Sequence, residues 1–232
     1  FTRDAPGPGS IGSYYRSENY ISHSPPRKKM VNNLYHLVRN YTLRSKYRLI
    51  RSVTGLREGT HLDIGAGTGA FVRYMNSRAW QSQGIEPDGP ARDVALAHHQ
   101  VRLLPAEAFP TLPPAFFDAI SLWHVLEHVH DLHPYLEQIK KLLKPSGKLL
   151  IAVPNYTSYD GMKYRENWAA YDVPRHLYHF SPASMKYLLN ANGFKLIREE
   201  PMWFDSFYIS LLSEKYAKGR APLFSGFLTG AL

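Results

Sequence analysis

At 232 residues, with 44% hydrophobic and 20% charged residues, the chain has the size of one α/β domain with a helical appendage and the composition of a folded globular protein. It contains no cysteine, which excludes disulfides and thiolate metal sites and fits a cytoplasmic location. The net charge of +9 is concentrated: Arg27, Lys28, Lys29, Arg39, Arg44, Lys46, Arg48, Arg51 and Arg57 lie in a stretch without Asp or Glu, and the other 19 cations match the 19 anions. No segment has the pattern of a signal peptide or a transmembrane helix; the nearly apolar residues 221–232 are too few to span a bilayer. The chain opens on Phe1 rather than Met, as a fragment or a processed form would.

Residues 1–26, rich in Gly, Pro, Ser and Tyr, read as an irregular arm. Residues 27–58 read as a basic helical extension. Its apolar positions Met30, Leu34, Leu37, Val38 and Tyr41 recur at helical spacing, Leu43, Tyr47, Ile50 and Val53 continue them, and Gly55 ends the helix. Such a helix suits phosphates, nucleic acid or a membrane surface, but a plain solvated face is the favoured reading.

From residue 59 to about 200 strand and helix alternate. Strands are expected at 61–64, 81–86, 101–104, 118–123, 148–153 and 194–199. Helices are expected at 68–78, at 90–99, after Asp131 as cap, and from Ser181 to Asn190, with Pro145-Ser146-Gly147 as a turn. Repeated β-α units predict an α/β fold: a doubly wound, mainly parallel, Rossmann-like sheet with an N-terminal helical extension. Ligands then bind beyond the carboxyl ends of the strands, at the switch point beside the first one. Residues 201–232 read as a helical C-terminal segment, with 205–216 as the helix and Phe224, Phe227 and Leu228 as a face for a homodimer contact or for packing on the body.

The sequence Asp63-Ile64-Gly65-Ala66-Gly67-Thr68-Gly69 ends the first strand and opens the next helix, where glycine lets a ligand approach the backbone. Two cofactors compete for it. Gly65-x-Gly67-x-x-Ala70 satisfies the dinucleotide pattern, and Glu86 stands where an NAD enzyme keeps its ribose-binding acid. Asp63, however, is awkward beside a pyrophosphate and well suited to the ammonium group of S-adenosylmethionine. Gly69 and the acid of Gly84-Ile85-Glu86-Pro87-Asp88 favour the same donor.

HLDIGAGTG, GIEPD, FDAISLWHVLEHVHD and LLKPSGKLLIAVPN together resemble the successive sheet motifs of class I S-adenosylmethionine-dependent methyltransferases, in the branch that includes the ubiquinone-biosynthesis O-methyltransferases. The resemblance spans roughly residues 59–199. It implies that Asp63, Gly65, Ala66, Gly67 and Gly69 meet the methionine end, that Glu86 and Pro87 lie at the ribose, that Ala106 and Glu107 border the adenine, and that Trp123 lines the site. Many members carry Asp before that alanine; here it is Pro105, which leaves Glu107 as the nearest polar substitute.

Methyl transfer to a hydroxyl needs a positioned acceptor and a proton acceptor. His124, Glu127 and His128, after the fourth strand, would share one side of a helical turn. His128 or His124 could serve as general base. Alternatively the three, with His176 or His179, could bind a divalent metal, in a pattern similar to the Glu-x-x-Glu-His plus distant His of some ubiquinone-type and small-RNA methyltransferases. His124 replaces the first Glu of that pattern. The remaining alternative is that Glu127 and His128 brace the turn without chemistry.

Tyr159-x-x-x-Lys163 has the spacing of the short-chain dehydrogenase pair, but Pro154-Asn155 and Gly161 predict a loop there. Tyr156, Tyr159, Tyr164, Trp168, Tyr171 and Tyr178 suggest an acceptor site, a lid, or a small core of the loop's own. The arm at residues 14–23 could fold over the cofactor. Class I methyltransferases usually end in a hairpin of sixth and seventh strands, and no clear seventh strand follows here. The expected function is O-methylation of a small-molecule, lipid-linked or sugar-linked acceptor; an RNA or other nucleic-acid methyltransferase guided by the basic helix and an NAD-linked oxidoreductase are the alternatives.

Overall fold

The computed structural model describes residues 1–3, 5–7, 10–11, 14 and 29–218. Arg27, Lys28, the arm beyond Tyr14, and Phe224, Phe227 and Leu228 lie outside these residues. The chain forms two compact units: Glu18–Leu126 with Asp131–Ala152, and Phe1–Ser17 with Glu127–His130 and Val153–Leu232.

The first unit holds the sheet. Helix α1 (Lys29–Thr54) ends at Gly55, whose amide bonds the Arg51 carbonyl at 2.9 Å with φ at 72°. Strands β1 (Gly59–Ile64), β2 (Trp80–Ile85), β3 (Phe117–Trp123) and β4 (Leu143–Ala152) pair in parallel in the order β2-β1-β3-β4. Helices α2 (Ala70–Asn76), α3 (Gly89–His99) and α4 (Leu132–Leu142) make the crossovers. The chain steps from β1 to one side and then returns to the other, so the switch point lies beside β1 and its glycine loop. The expected Rossmann-like architecture is thus present.

Alternation along each strand separates two faces. One face carries Ala119 and Leu150, which cluster with Ile50 of α1, Phe71 and Met75 of α2, and Trp80. The other carries Leu62, Ile120 and Leu122, all fully buried, each contributing about 1.5–3 kcal/mol. Below the sheet, the Asp118 carboxylate accepts from the Thr60 amide (2.8 Å), the Thr60 hydroxyl and Lys144, tying β1, β3 and β4. Leu43, Tyr47 and Val53 pack on the core as their spacing predicts, whereas Tyr41 is exposed.

Several expectations need correction. Residues 101–104 form no strand; Leu104 makes a single bridge to Ile85, because Pro105 ends the pairing at once. Residues 194–199 also pair with nothing among the described residues. Pro145-Ser146-Gly147 is absorbed into β4 as a register irregularity, since Leu143 pairs with Phe117 but Lys148 with Ala119. Asp131 precedes α4 without a side-chain cap bond.

The second unit contains α5 (Tyr159–Tyr164), α6 (Pro182–Ala191) and α7 (Trp203–Lys218). Residues 159–164 are helical, not the expected loop, because the Ser158 hydroxyl caps the Gly161 amide. Ser181 and Ser184 form a capping box on α6, and Gly193 (φ 76°) follows its end. Half of the aromatic segment makes its own core: Tyr164 and Trp168 are buried with Ala170, Tyr171 and Ile209 of α7, while Tyr156 and Tyr159 are exposed. Among the described residues no helix is long and apolar enough to cross a membrane.

Gly84 of β2 is where the sheet admits least change. A Cβ there would stand 2.5 Å from Leu103, 2.8 Å from Ala66 and 2.9 Å from Val72. Gly84→Ala is expected to cost about 1–3 kcal/mol of stability through overpacking. Urea denaturation measures this, and a neutral result would mean that Leu103 and Val72 yield without cost.

Candidate active site

The glycine loop is held by the end of β2. The Gly65 and Ala66 amides both donate to the Ile85 carbonyl, at 2.8 and 2.9 Å, and the Gly67 amide donates to Glu86 Oε2 at 2.7 Å. Gly65 sits at φ 72°, and a Cβ there would come within 2.4 Å of Val125, so no other residue fits. Gly67 and Gly69 also have positive φ, and Gly69 opens α2. The second Glu86 oxygen accepts from the Asp88 amide at 2.9 Å, while Arg92 donates to the Glu86 and Pro87 carbonyls. Glu86 therefore couples two loops before any ligand is considered.

The Glu86 amide donates to the Leu104 carbonyl at 2.9 Å, which brings the chain entering the turn Ala106–Thr111 to the same end of the sheet. Ala106 and Glu107 are exposed there.

Asp63 is buried, and its Oδ1 accepts a 2.6 Å bond from Ser121. Burial raises its pKa to about 6; the Ser121 hydrogen bond and the Lys46 charge act in the opposite direction, Glu86 adds to the rise, and the Trp123 indole lowers it slightly. Lys46 was not singled out by its sequence, being one of nine cations in a run. Its ammonium stands 4.4 Å from the Trp123 ring centroid and 5.9 Å from that of Phe71. A usable signal existed: Lys46 lies three residues after Leu43 and four before Ile50, on the edge of the buried stripe. Arg44, Arg48, Arg51 and Arg57 are exposed, whereas Lys46 is half-buried. The Trp123 indole nitrogen is buried without a hydrogen-bond partner of ordinary geometry.

The expected helical turn from His124 to His128 is shorter. Only Leu126–His128 turns, and exposed His124 precedes it with left-handed backbone (φ 59°), its amide bound to the Ala152 carbonyl. In the second unit, Glu127, His128 and His176 offer ligand atoms within 4.8 Å of one another. The Leu177 amide bonds the Glu127 carbonyl at 2.8 Å and so fixes the two segments together. His128 Nδ1 lies 3.1 Å from the Arg175 carbonyl, and His176 Nδ1 lies 2.8 Å from that of Ala170. A carbonyl only accepts, so both rings carry N–H at Nδ1, and in a neutral ring the lone pair is then at Nε2. The rings meet edge to face at 4.6 Å, and Asp172 Oδ2 stands 3.7 Å from His176 Nε2. Burial lowers the His176 pKa to about 4, against Glu127 and Asp172, which raise it. His179, the alternative to His176, instead meets Tyr171 and Thr2.

His61, also unassigned by its sequence, is fully buried, and burial lowers its pKa from 6.5 to about 3. A histidine depressed in the fold contributes stability above its unfolded pKa and loses it as pH falls toward the folded value. Between pH 7.5 and pH 5 this single group should remove about 2 kcal/mol. Asp63, shifted upward, acts in the opposite sense between 3.8 and about 6. Denaturation of the wild type and His61→Leu at the two pH values is therefore expected to show a smaller acid loss in the variant; equal losses would mean that His61 gains its proton within the fold.

A family profile described as "Methyltransferase domain" matches residues 37–199. The ubiquinone biosynthesis O-methyltransferase of Nitrosomonas europaea is 30% identical over 110 residues, covering 44% of this chain and 47% of that protein. The protein of the same name in Bartonella tribocorum is 27% identical over 150 residues, covering 60% and 61%. The chain thus spans about half to three-fifths of the length of these two relatives. Among solved structures, a Burkholderia thailandensis 1,6-didemethyltoxoflavin-N1-methyltransferase with bound S-adenosylhomocysteine matches with TM-score 0.57 at 21% identity, covering 86% of this chain and 85% of that one. An Archaeoglobus fulgidus S-adenosylmethionine-dependent methyltransferase matches with TM-score 0.55 at 21% identity, covering 78% and 86%. At these identities the structural matches speak to the fold.

Proposed function

The chain belongs to the methyltransferase-domain family, and from that premise we propose that it methylates an oxygen of a small-molecule, lipid-linked or sugar-linked acceptor, with S-adenosylmethionine as donor. The observation that carries the reading is the buried Asp63 carboxylate, favoured in its charged form by Lys46, beside a glycine loop where a Cβ on Gly65 would meet Val125 at 2.4 Å. A zwitterionic methionine end finds a partner for each charge: Asp63 for the ammonium and Lys46 for the carboxylate. A pyrophosphate would instead meet the Asp63 carboxylate, which argues against NAD.

On this reading Gly65, Ala66, Gly67 and Gly69 admit the donor to the backbone. Glu86, with Pro87, receives the ribose hydroxyls through lone pairs left beside its two amide bonds, and Ala106 and Glu107 border the adenine. The bound donor supplies a methyl group on a sulfonium; the protein's task is to hold an acceptor in line and exclude water. Calorimetry with S-adenosylmethionine and NAD side by side tests the assignment, and binding of NAD alone overturns it. Glu86→Ala removes a charged acceptor and should weaken the donor by about 1.5–3 kcal/mol, or 10- to 150-fold. Glu86→Gln, which keeps the side-chain length, separates loss of the contact from collapse of the loop.

We assign acceptor activation to Glu127, His128 and His176. Two Nε2 lone pairs and a carboxylate, with each Nδ1–H tied to a backbone carbonyl, form a donor set suited to a divalent cation. A cation held there would lower the pKa of a hydroxyl. Metal analysis of the purified protein, with Glu127→Gln and His176→Gln as controls, is expected to find a cation in the wild type only. Activity that survives exhaustive chelation would exclude the cation.

A further inference from the structure

A buried hydrogen-bond chain crosses the middle of the sheet. His61 of β1 pairs in register with Ser82 of β2, and Asp63 with Ser121 of β3. Ser82 Oγ lies 2.7 Å from His61 Nδ1, His61 Nε2 lies 2.9 Å from Ser121 Oγ, and Ser121 Oγ donates to Asp63 Oδ1 at 2.6 Å. All four residues are buried, and the imidazole is flanked by the edges of Phe71 and Trp80, at 5.5 and 6.5 Å. An apolar side chain would fill this place between two aromatic rings at lower desolvation cost.

Donor and acceptor roles fix the direction of the chain. An ionised carboxylate only accepts, so the Ser121 hydroxyl hydrogen goes to Asp63. Ser121 then has only lone pairs for His61, which must present Nε2–H. Nδ1 is left as acceptor and takes the Ser82 hydroxyl hydrogen. Every hydrogen in the row points toward Asp63, and each bond polarises the next. We propose that His61 is a positioning residue for the methyl-donor site, acting through Ser121 to orient the Asp63 carboxylate and keep it ionised for the donor's ammonium group. This rests on the assignment of Asp63 to that site.

Other groups also face Asp63: Lys46 from α1, Glu86 beyond β2, and Trp123 of β3. Lys46 favours the ionised form and Glu86 opposes it, and neither changes when the row is altered. Burial holds the Asp63 pKa near 6, so the carboxylate is close to losing its charge under mildly acidic conditions, and one hydrogen bond has a measurable effect.

The test is calorimetric titration of the full chain with S-adenosylhomocysteine, which carries the same ammonium group, between pH 5 and pH 8.5. Wild-type affinity is expected to fall below about pH 6, tenfold per unit. Ser121→Ala should move that acid limb upward by about one unit, which weakens binding about twofold at pH 7 and close to tenfold at pH 5. His61→Leu should move it in the same direction by less, and His61→Gln, whose amide N–H reaches the Nε2 position, should restore it. A changed melting temperature with an unmoved acid limb in Ser121→Ala and His61→Leu overturns the relay and leaves His61 a core residue. If His61→Leu fails to fold, Ser121→Ala decides alone, together with the wild-type His61 tautomer read from nitrogen chemical shifts: Nε2–H is required, and Nδ1–H overturns the proposal. Absence of wild-type binding at every pH would instead overturn the donor site itself, and the relay with it.

Discussion

The end of β2 and the glycine loop after β1 constrain each other through contacts that leave no slack. Three successive loop amides, of Gly65, Ala66 and Gly67, are taken by the Ile85 carbonyl and the Glu86 carboxylate. Gly84 lets Ala66, Val72 and Leu103 close on the same strand. An unpaired buried amide costs about 1–3 kcal/mol, so a loop with three such donors needs these acceptors to keep its shape. Its shape in turn sets the start of α2, whose Phe71 and Met75 complete one face of the core and whose Val72 packs with Ala95, Val101 and Leu103. The loop is thus a structural element of the sheet before it is a binding element. Its glycines serve close backbone approach in both roles.

That dual role explains why so much of the sheet was legible in the sequence and where legibility stopped. Strand periods, the glycine-bearing turn and the Ser181 cap act through neighbours in sequence, and these expectations hold; the Ser158 cap was missed and made a helix of an expected loop. The exceptions are pairing decisions. Residues 101–104 have strand character, yet Pro105 permits only the Leu104–Ile85 bridge. Residues 194–199 were expected as a strand but have no partner strand among the described residues. The turn at Pro145-Ser146-Gly147 became part of β4 because Gly147 fits against the Phe117 and Lys144 carbonyls, where a Cβ would stand at 2.9 Å. Propensity is local, whereas pairing depends on what the rest of the sheet presents.

The candidate site divides in the same way. Asp63, the glycines and Glu86 were visible because two short motifs place them at the ends of the adjacent strands β1 and β2. Lys46 was not, since it lies on α1 while Trp123 and Asp63 come from two strands, and its own stretch is crowded with other cations. Glu86 carries a further lesson. Its spacing suggested a ribose contact alone, while the structure makes it first an acceptor for two backbone amides. Any ligand contact must use what those bonds leave, which narrows the directions from which hydroxyl groups could approach.

The histidines show why residue type is a weak guide to chemistry. His124 is exposed on left-handed backbone, outside the turn that its spacing suggested. His128 and His176 have their tautomers set by backbone carbonyls, which makes their Nε2 atoms donors of electron pairs, not of protons. His61 has the opposite arrangement, because a carboxylate two bonds away requires a hydrogen at Nε2. Burial keeps both His61 and His176 neutral near pH 7, so charge does not distinguish them. What distinguishes them is the acceptor in the hydrogen bond: a peptide carbonyl places the hydrogen of His176 on Nδ1, and an ionised aspartate beyond Ser121 places that of His61 on Nε2. Those partners come from segments up to 60 residues away, as His61 and Ser121 do, so the roles were set by the fold and not by the spacing.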